Sequence, residues 1–202
     1  MKVVIIGGVA GGASAAARLR RNDENAEIII FERTGYISYA NCGEPYYIGG
    51  VIEEREKLTV QTPKGFKERF NVDVRVKSEV TAIDRDAKKV HVKNLETGEE
   101  YDESYDKLIL SPGAKAVKPD VPGADDERIF SLRTIEDTFA ISDFVEQKQP
   151  KTAIVIGGGF IGLEVAENLM ERGLKVTVLH RGAHVMKGLD DGIAAVLQNR
   201  MR

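Results

Sequence analysis

The chain has 202 residues, 42% of them hydrophobic and 30% charged, and its 29 Lys+Arg against 32 Asp+Glu leave a net charge of -3. That length can bury a sizeable core, and without a basic excess there is nothing to neutralise phosphates in bulk, so nucleic acid is excluded as a partner. A single cysteine rules out an internal disulfide, no apolar run approaches bilayer length, and the first residues lack the features of a signal peptide, so a soluble cytoplasmic protein is expected.

Residues 2–6 form a short apolar run, Gly7, Gly8, Val9, Ala10, Gly11 and Gly12 make a turn, residues 13–21 are alanine-rich and helical, and residues 27–31 are a second apolar run. Glu32 ends that run, 25 residues after Gly7. This is the arrangement for holding a dinucleotide: glycines admit the pyrophosphate to the backbone, a helix start offers free N–H groups, and a carboxylate accepts ribose hydroxyls. One departure is Val9, where the middle glycine of G-x-G-x-x-G is expected.

Residues 51–69 are mixed and charged, with Thr62-Pro63 marking a turn. Residues 72–76, 80–83 and 89–92 alternate as strands, and Thr97-Gly98 is a hairpin turn, so a small β-meander is expected here. Residues 105–114 read as a buried strand ending in a Pro-Gly turn, residues 119–123 as a crossover, and Thr134 with Asp137 as a helix cap.

Residues 152–180 repeat the first unit, with Gly157, Gly159 and Gly162 all in place and Gly173 closing the helix. Two such units suggest two dinucleotide sites, which is how a flavin and a nicotinamide are brought together in one chain. The second unit ends in His180-Arg181, where NAD would call for a carboxylate; these side chains can take a 2′-phosphate, which favours NADPH over NADH. The expected fold is α/β: two Rossmann-like dinucleotide-binding domains with a β-meander insertion. Residues 1–114 would form the first dinucleotide-binding domain, residues 115–150 a crossover and helix, and residues 151–202 would begin the NAD(P)-binding domain of a longer protein.

Cys42, the sole cysteine, lies beyond the first unit and is followed by Gly43 and Pro45, which favour a turn and close approach to the sulfur. A cofactor-linked thiol would sit in such a place.

These stretches together resemble the N-terminal portion of the pyridine nucleotide-disulfide oxidoreductases with one active-site cysteine, and within them the coenzyme A-disulfide reductase branch. The specific marks are residues 7–12 including Val9, residues 38–43 (Ser-Tyr-Ala-Asn-Cys-Gly), residues 105–114, residues 157–164 and residues 177–181. The resemblance implies FAD at Gly7–Gly12, with Glu32 and Arg33 near the ribose, Val80 at the adenine, and Ser111, Pro112, Gly113 and Ala114 where the chain leaves the domain. It implies NADPH (or NADH) on the second loop, Gly157–Gly162 with Phe160 among its contacts, with Ile161 and Glu164 near the nicotinamide and His180 and Arg181 at the 2′-phosphate. Coenzyme A would be held as a mixed disulfide on Cys42, with Ser14, Arg18, Arg21, Ser38 and Asn41 as contacts.

No metal is implied; a homodimer is. Two positions depart from the family pattern: Phe70 stands where some relatives have a basic residue, and Glu44 stands in place of the usual Leu, which is expected to make the cleft more acidic.

On this resemblance, NADPH reduces the flavin, the flavin delivers two electrons to the Cys42–CoA disulfide, and the Cys42 thiolate, of lowered pKa, attacks a second CoA disulfide. A CoA persulfide or polysulfide is a close alternative substrate. An NADH oxidase or peroxidase cycling Cys42 through sulfenic acid is a rival, disfavoured because Ala10 replaces the histidine such relatives carry in the first loop. A non-catalytic electron-transfer subunit is a further alternative. Residues 1–202 alone are expected to be inactive.

Overall fold

The computed structural model describes residues 1–201. In chain order the first elements are β1 (Lys2–Ile6), α1 (Ala10–Asn22), β2 (Glu27–Phe31), a 3-10 turn (Asn41–Gly43), α2 (Glu44–Ile48), a second 3-10 turn (Arg55–Leu58) and α3 (Pro63–Phe70). Next come β3 (Asp73–Arg75), β4 (Ser78–Asp84), β5 (Lys89–Asn94), β6 (Glu100–Ser104) and β7 (Lys107–Leu110). The last are α4 (Ile135–Lys148), β8 (Thr152–Ile156), α5 (Phe160–Glu171), β9 (Lys175–Leu179) and α6 (Asp191–Arg200). They form two compact units, one of residues 1–40 with 59–115 and one of residues 41–58 with 116 onward. No helix among the described residues is long and apolar enough to cross a membrane.

The first unit is a parallel sheet in the order β3-β2-β1-β7, with the antiparallel meander β4-β5-β6 beside it. Alternate residues of β1 and β2 serve two cores, as the two-residue strand period requires. Val3, Ile5, Ile28 and Ile30 pack with Ala13, Ala16 and Ala17 of α1, while Val4, Ile29 and Phe31 pack with Val90 and Val92 of the meander. Alanines on the inner face of α1 let the helix lie close over the sheet.

The structure corrects the chain-order expectations at three places. Residues 72–76 do not join the meander: β3 pairs in parallel with β2, Ile30 opposite Val74, and extends the nucleotide-type sheet. Thr62-Pro63 is a helix start rather than a turn. The Thr62 hydroxyl accepts the Gly65 N–H at 3.0 Å and Pro63 occupies the first helical position, where a missing N–H costs nothing. The strand β7 is only half-buried, and Leu110 is 59% exposed.

In the second unit β8 and β9 pair in parallel, Ile154 opposite Thr177, and α5 packs against them. Thr134 caps α4 through the expected capping box with Asp137. The core gathers Ile48 of α2, Val145 of α4, and Leu169 and Leu174 at the end of the α5 arm.

Candidate functional site

The two glycine loops are built alike, each within its own unit. Gly7 has φ +95°, its N–H donates to the Phe31 carbonyl at 2.8 Å, and a Cβ on Gly12 would lie 1.8 Å from the Gly7 carbonyl oxygen. Gly157 has φ +116°, its N–H donates to the Leu179 carbonyl at 2.9 Å, and a Cβ on Gly162 would lie 2.0 Å from the Gly157 oxygen. In both loops a glycine at the turn and a glycine in the helix make one contact that no side chain permits.

The next N–H is engaged in both loops too. Gly8 donates to Glu32 Oε2 at 2.8 Å, and Gly158 donates to His180 Nδ1 at 3.2 Å. Glu32 and His180, which the sequence placed at corresponding positions, thus do the same structural task of holding a loop N–H, which the spacing did not reveal. The other Glu32 oxygen accepts from the Thr34 N–H and hydroxyl. With Nδ1 accepting, the His180 ring carries its proton on Nε2, and an imidazolium would have to release Gly158. Permanent positive charge nearby comes instead from exposed Arg181 and from Lys187, which lines a cavity of about 310 Å³ together with Gly158, Gly159, Phe160 and His180. Lys187 sits in an irregular segment, and no sequence pattern singled it out.

Gly159 tests whether these loops suit a dinucleotide. Its φ of -89° and ψ of -176° are open to any residue, and a Cβ there would meet nothing within 4 Å. Backbone conformation and packing give no reason for a glycine there; its place as the N-cap of α5 gives a modest one, and close approach of a pyrophosphate gives another. In the first loop Val9 is the N-cap of α1, Ala10 begins the helix exposed, and a Cβ on Gly11 would lie 2.8 Å from Ser111 Oγ. Ser111 is therefore brought against the loop, its N–H donating to the Ile6 carbonyl at 2.8 Å; Pro112, Gly113 and Ala114 follow, exposed. Arg33 is exposed and lies 3.7 Å from Glu79, and Val80 is half-buried at the bulge in β4.

Ser14, Arg18 and Arg21 form one exposed stripe on α1, as i, i+4, i+7 spacing dictates. Arg21 Nε donates back to the Ala17 carbonyl. Ser38, at φ +45°, donates its N–H to the Gly8 carbonyl at 3.0 Å. These four residues belong to the first unit; Asn41 and Cys42 belong to the second. Phe70 is packing material, its ring 4.8 Å from that of Phe66.

Cys42 is exposed in the 3-10 turn ahead of α2. It lines a cavity of about 370 Å³ with Asn41, Glu44, Arg133, Phe160, Ile161 and Glu164, so the second loop's Phe160 borders both cavities. The wall is held from behind. A Cβ on Gly49 would lie 2.1 Å from Asn168 Oδ1, Arg172 donates to the Ile48 carbonyl, and Arg55 pairs with Asp143 while its guanidinium lies 4.6 Å from the Phe139 ring centroid. Among the described residues no group of three His, Cys, Asp or Glu could hold a metal ion.

The sequence profile of the pyridine nucleotide-disulphide oxidoreductases matches residues 1–202. The chain belongs to the pyridine nucleotide-disulphide oxidoreductase family. It is 46% identical over 196 residues to a coenzyme A disulfide reductase of Staphylococcus haemolyticus, covering 97% of this chain and 44% of that one. The crystal structure of reduced Bacillus anthracis CoADR-RHD superposes with a TM-score of 0.96 at 53% identity, over 99% of this chain and 36% of that one. An NAD-dependent persulfide reductase from A. fulgidus superposes with a TM-score of 0.95 at 37% identity, over 100% and 38%. The chain thus spans less than half the length of these relatives.

Within this oxidoreductase chain, Glu44 behaves unlike an acidic cleft residue. It is 5% exposed, Oε1 has no hydrogen-bond partner among the described residues, and burial pushes its carboxyl from 4.5 up to about 7, Arg133 opposing and Asp137 and Glu136 reinforcing the shift. At neutral pH much of it is uncharged, which corrects the expectation of a more acidic cleft.

The sign of the linkage follows. A raised folded-state value favours folding of the protonated form, so the relative stabilisation is complete below 4.5 and is lost as the pH rises to about 7. Replacing Glu44 by Gln is expected to stabilise the chain at pH 8 by on the order of 2 kcal/mol and to change little at pH 4.5. Denaturant unfolding of both variants at the two pH values checks this; an equal difference at both would show that Glu44 does not titrate with folding.

Proposed function

We propose that the full-length protein is a homodimeric, cytoplasmic, FAD-dependent oxidoreductase in which NAD(P)H, preferably NADPH, drives the reduction of CoA disulfide through Cys42. The observation that carries this reading is an exposed cysteine in a cavity bordered by the helix start of a dinucleotide-type loop, in a chain 46% identical to a coenzyme A disulfide reductase. Residues 1–114 would hold FAD on Gly7–Gly12, Glu32 and Ser111, and residues 151–202 would contribute the nicotinamide site on Gly157–Gly162. Bound flavin supplies the two-electron link between nicotinamide and disulfide.

The chain's own residues would do the rest. The Gly159 backbone admits a pyrophosphate, Arg181 and Lys187 offer charge to a 2′-phosphate, and Ile161 and Glu164 line the wall shared with Cys42. Asn41 flanks the sulfur that exchanges. Ser14, Arg18 and Arg21 present a polar, cationic face suited to a CoA phosphate. Likeness to the persulfide reductase favours a second reading, in which the same thiol accepts sulfane sulfur from a CoA persulfide.

The experiment is the non-reduced intact mass of the full-length protein with peptide mapping of Cys42. A CoA adduct released by NADPH is expected. A bare thiol or a sulfenic acid would move the assignment to oxygen or peroxide reduction.

A further inference from the structure

We propose that Glu44 is a proton donor to the thiolate that leaves when Cys42 exchanges with a low-molecular-weight disulfide. This role rests on Cys42 being the exchanging thiol, as proposed above. Glu44 and Cys42 are two residues apart and line the same cavity of about 370 Å³. The carboxyl is buried at 5% exposure, and its Oε1 has no partner among the described residues. A buried carboxyl oxygen left unpaired is costly unless the group is neutral or meets something that binds there.

Burial keeps the group near neutrality, and the surrounding charges oppose one another without holding it in an ion pair among the described residues. Arg133 precedes α4 and favours the carboxylate, Glu136 and Asp137 in the first turn of α4 favour the acid, and Glu164 of α5 faces the same cavity. On its own helix the neighbours are Tyr46, which is exposed, and Tyr47, whose hydroxyl accepts from Arg55 Nε. Asp137 is occupied, accepting the N–H groups of Arg133 and Thr134. Glu44 is thus the buried acid of the cavity, with one oxygen that no group among the described residues engages.

The step balances. The Cys42 thiolate attacks one sulfur of R–S–S–R, a Cys42 S–S bond forms, the original S–S bond breaks, and RS⁻ departs with the bonding pair. The Glu44 proton passes to it, giving RSH, and the carboxylate takes a new proton from water. The cysteine sulfur is oxidised as the departing sulfur is reduced. An acid near 7 gives its proton downhill to an alkyl thiolate, whose conjugate thiol titrates near about 8.5.

The test uses the full-length protein, wild type, Glu44→Gln and Glu44→Leu, with oxidised coenzyme A and an aryl disulfide whose thiolate departs without a proton. For oxidised coenzyme A, wild-type kcat/KM is expected to fall as the pH rises through about 7. Both variants should lose that limb and run roughly tenfold or more below wild type at pH 6, with the aryl substrate unchanged within about twofold. Equal losses on both substrates, or a limb kept by the variants, would overturn the proposal.

Iodoacetamide trapping of reduced Cys42 across the same pH range needs no turnover. An inflection near pH 7 that Glu44→Gln removes supports the coupling of the two groups; a profile indifferent to the substitution overturns it. A wild type that shows this inflection but turns over neither disulfide instead overturns the assignment of Cys42 as the exchanging thiol.

Discussion

Cys42→Ser in the full-length protein is expected to lower NADPH-dependent turnover of CoA disulfide by at least about 10³-fold, because a serine hydroxyl is neither appreciably ionised nor a good nucleophile toward sulfur. The substitution removes one polarisable atom at an exposed position in a short turn, so little packing is lost. Flavin content and melting temperature should match wild type. Bleaching of the flavin by NADPH should continue, since the two glycine loops are untouched. Steady-state kinetics with stopped-flow flavin absorbance separates the two half-reactions. Residual disulfide turnover within tenfold of wild type would show that electrons leave by a route other than Cys42.

Gly12→Ala is the second large effect, and it acts on the fold. The added Cβ would stand 1.8 Å from the Gly7 carbonyl oxygen and 2.9 Å from its carbon, both backbone atoms with no flexible side chain to yield. Either α1 lifts from β1 or the loop opens, and the inner face of α1, with Ala13, Ala16 and Ala17, loses its seat. A loss of at least about 4 kcal/mol is expected, at the top of the range for overpacking because backbone must move. Gly159→Ala is the matched comparison. It has an ordinary backbone conformation and open space, so only the weaker N-cap preference of alanine should count and stability should fall by no more than about 1 kcal/mol, while dinucleotide affinity falls. Denaturation midpoints with nucleotide titration of both variants check the pair. Equal destabilisation would show that the two glycines answer the same need.

Much of this was legible because it repeats. A glycine loop between an apolar run and an alanine-rich helix has few other solutions, and two copies pointed to two nucleotide-type units, although the grouping of residues 41–58 with the second was not legible. The capping box at Thr134 was legible because it depends on residues three apart. The helix α3 was hidden because Thr-Pro signals a turn and a helix start equally well, and its eight residues bury only Phe66. The placement of β3 was hidden because the alternation Val72, Val74, Val76 suits a meander and a sheet edge alike. Helix α2 is a five-residue element whose position depends on contacts with Asn168, Arg172 and the α4 arm, all distant in sequence. For the same reason a glutamate expected to make the cleft more acidic proved buried: nothing local to Glu44 announces Arg133 and Glu136.

Arg20, which the chain order passed over, ties several ends together. Its guanidinium donates to the carbonyls of Phe70 and Asn71 at the close of α3, and to those of Asp23 and Glu24 just past α1. One side chain therefore occupies the orphan acceptors at the ends of two crossover helices. The β1-to-β2 arm and the arm leading into β3 are joined into a single cooperative piece. Local opening at either arm would take the shared donor from the helix-end carbonyls of the other, so the region should breathe as one foldon rather than fray at two independent helix ends.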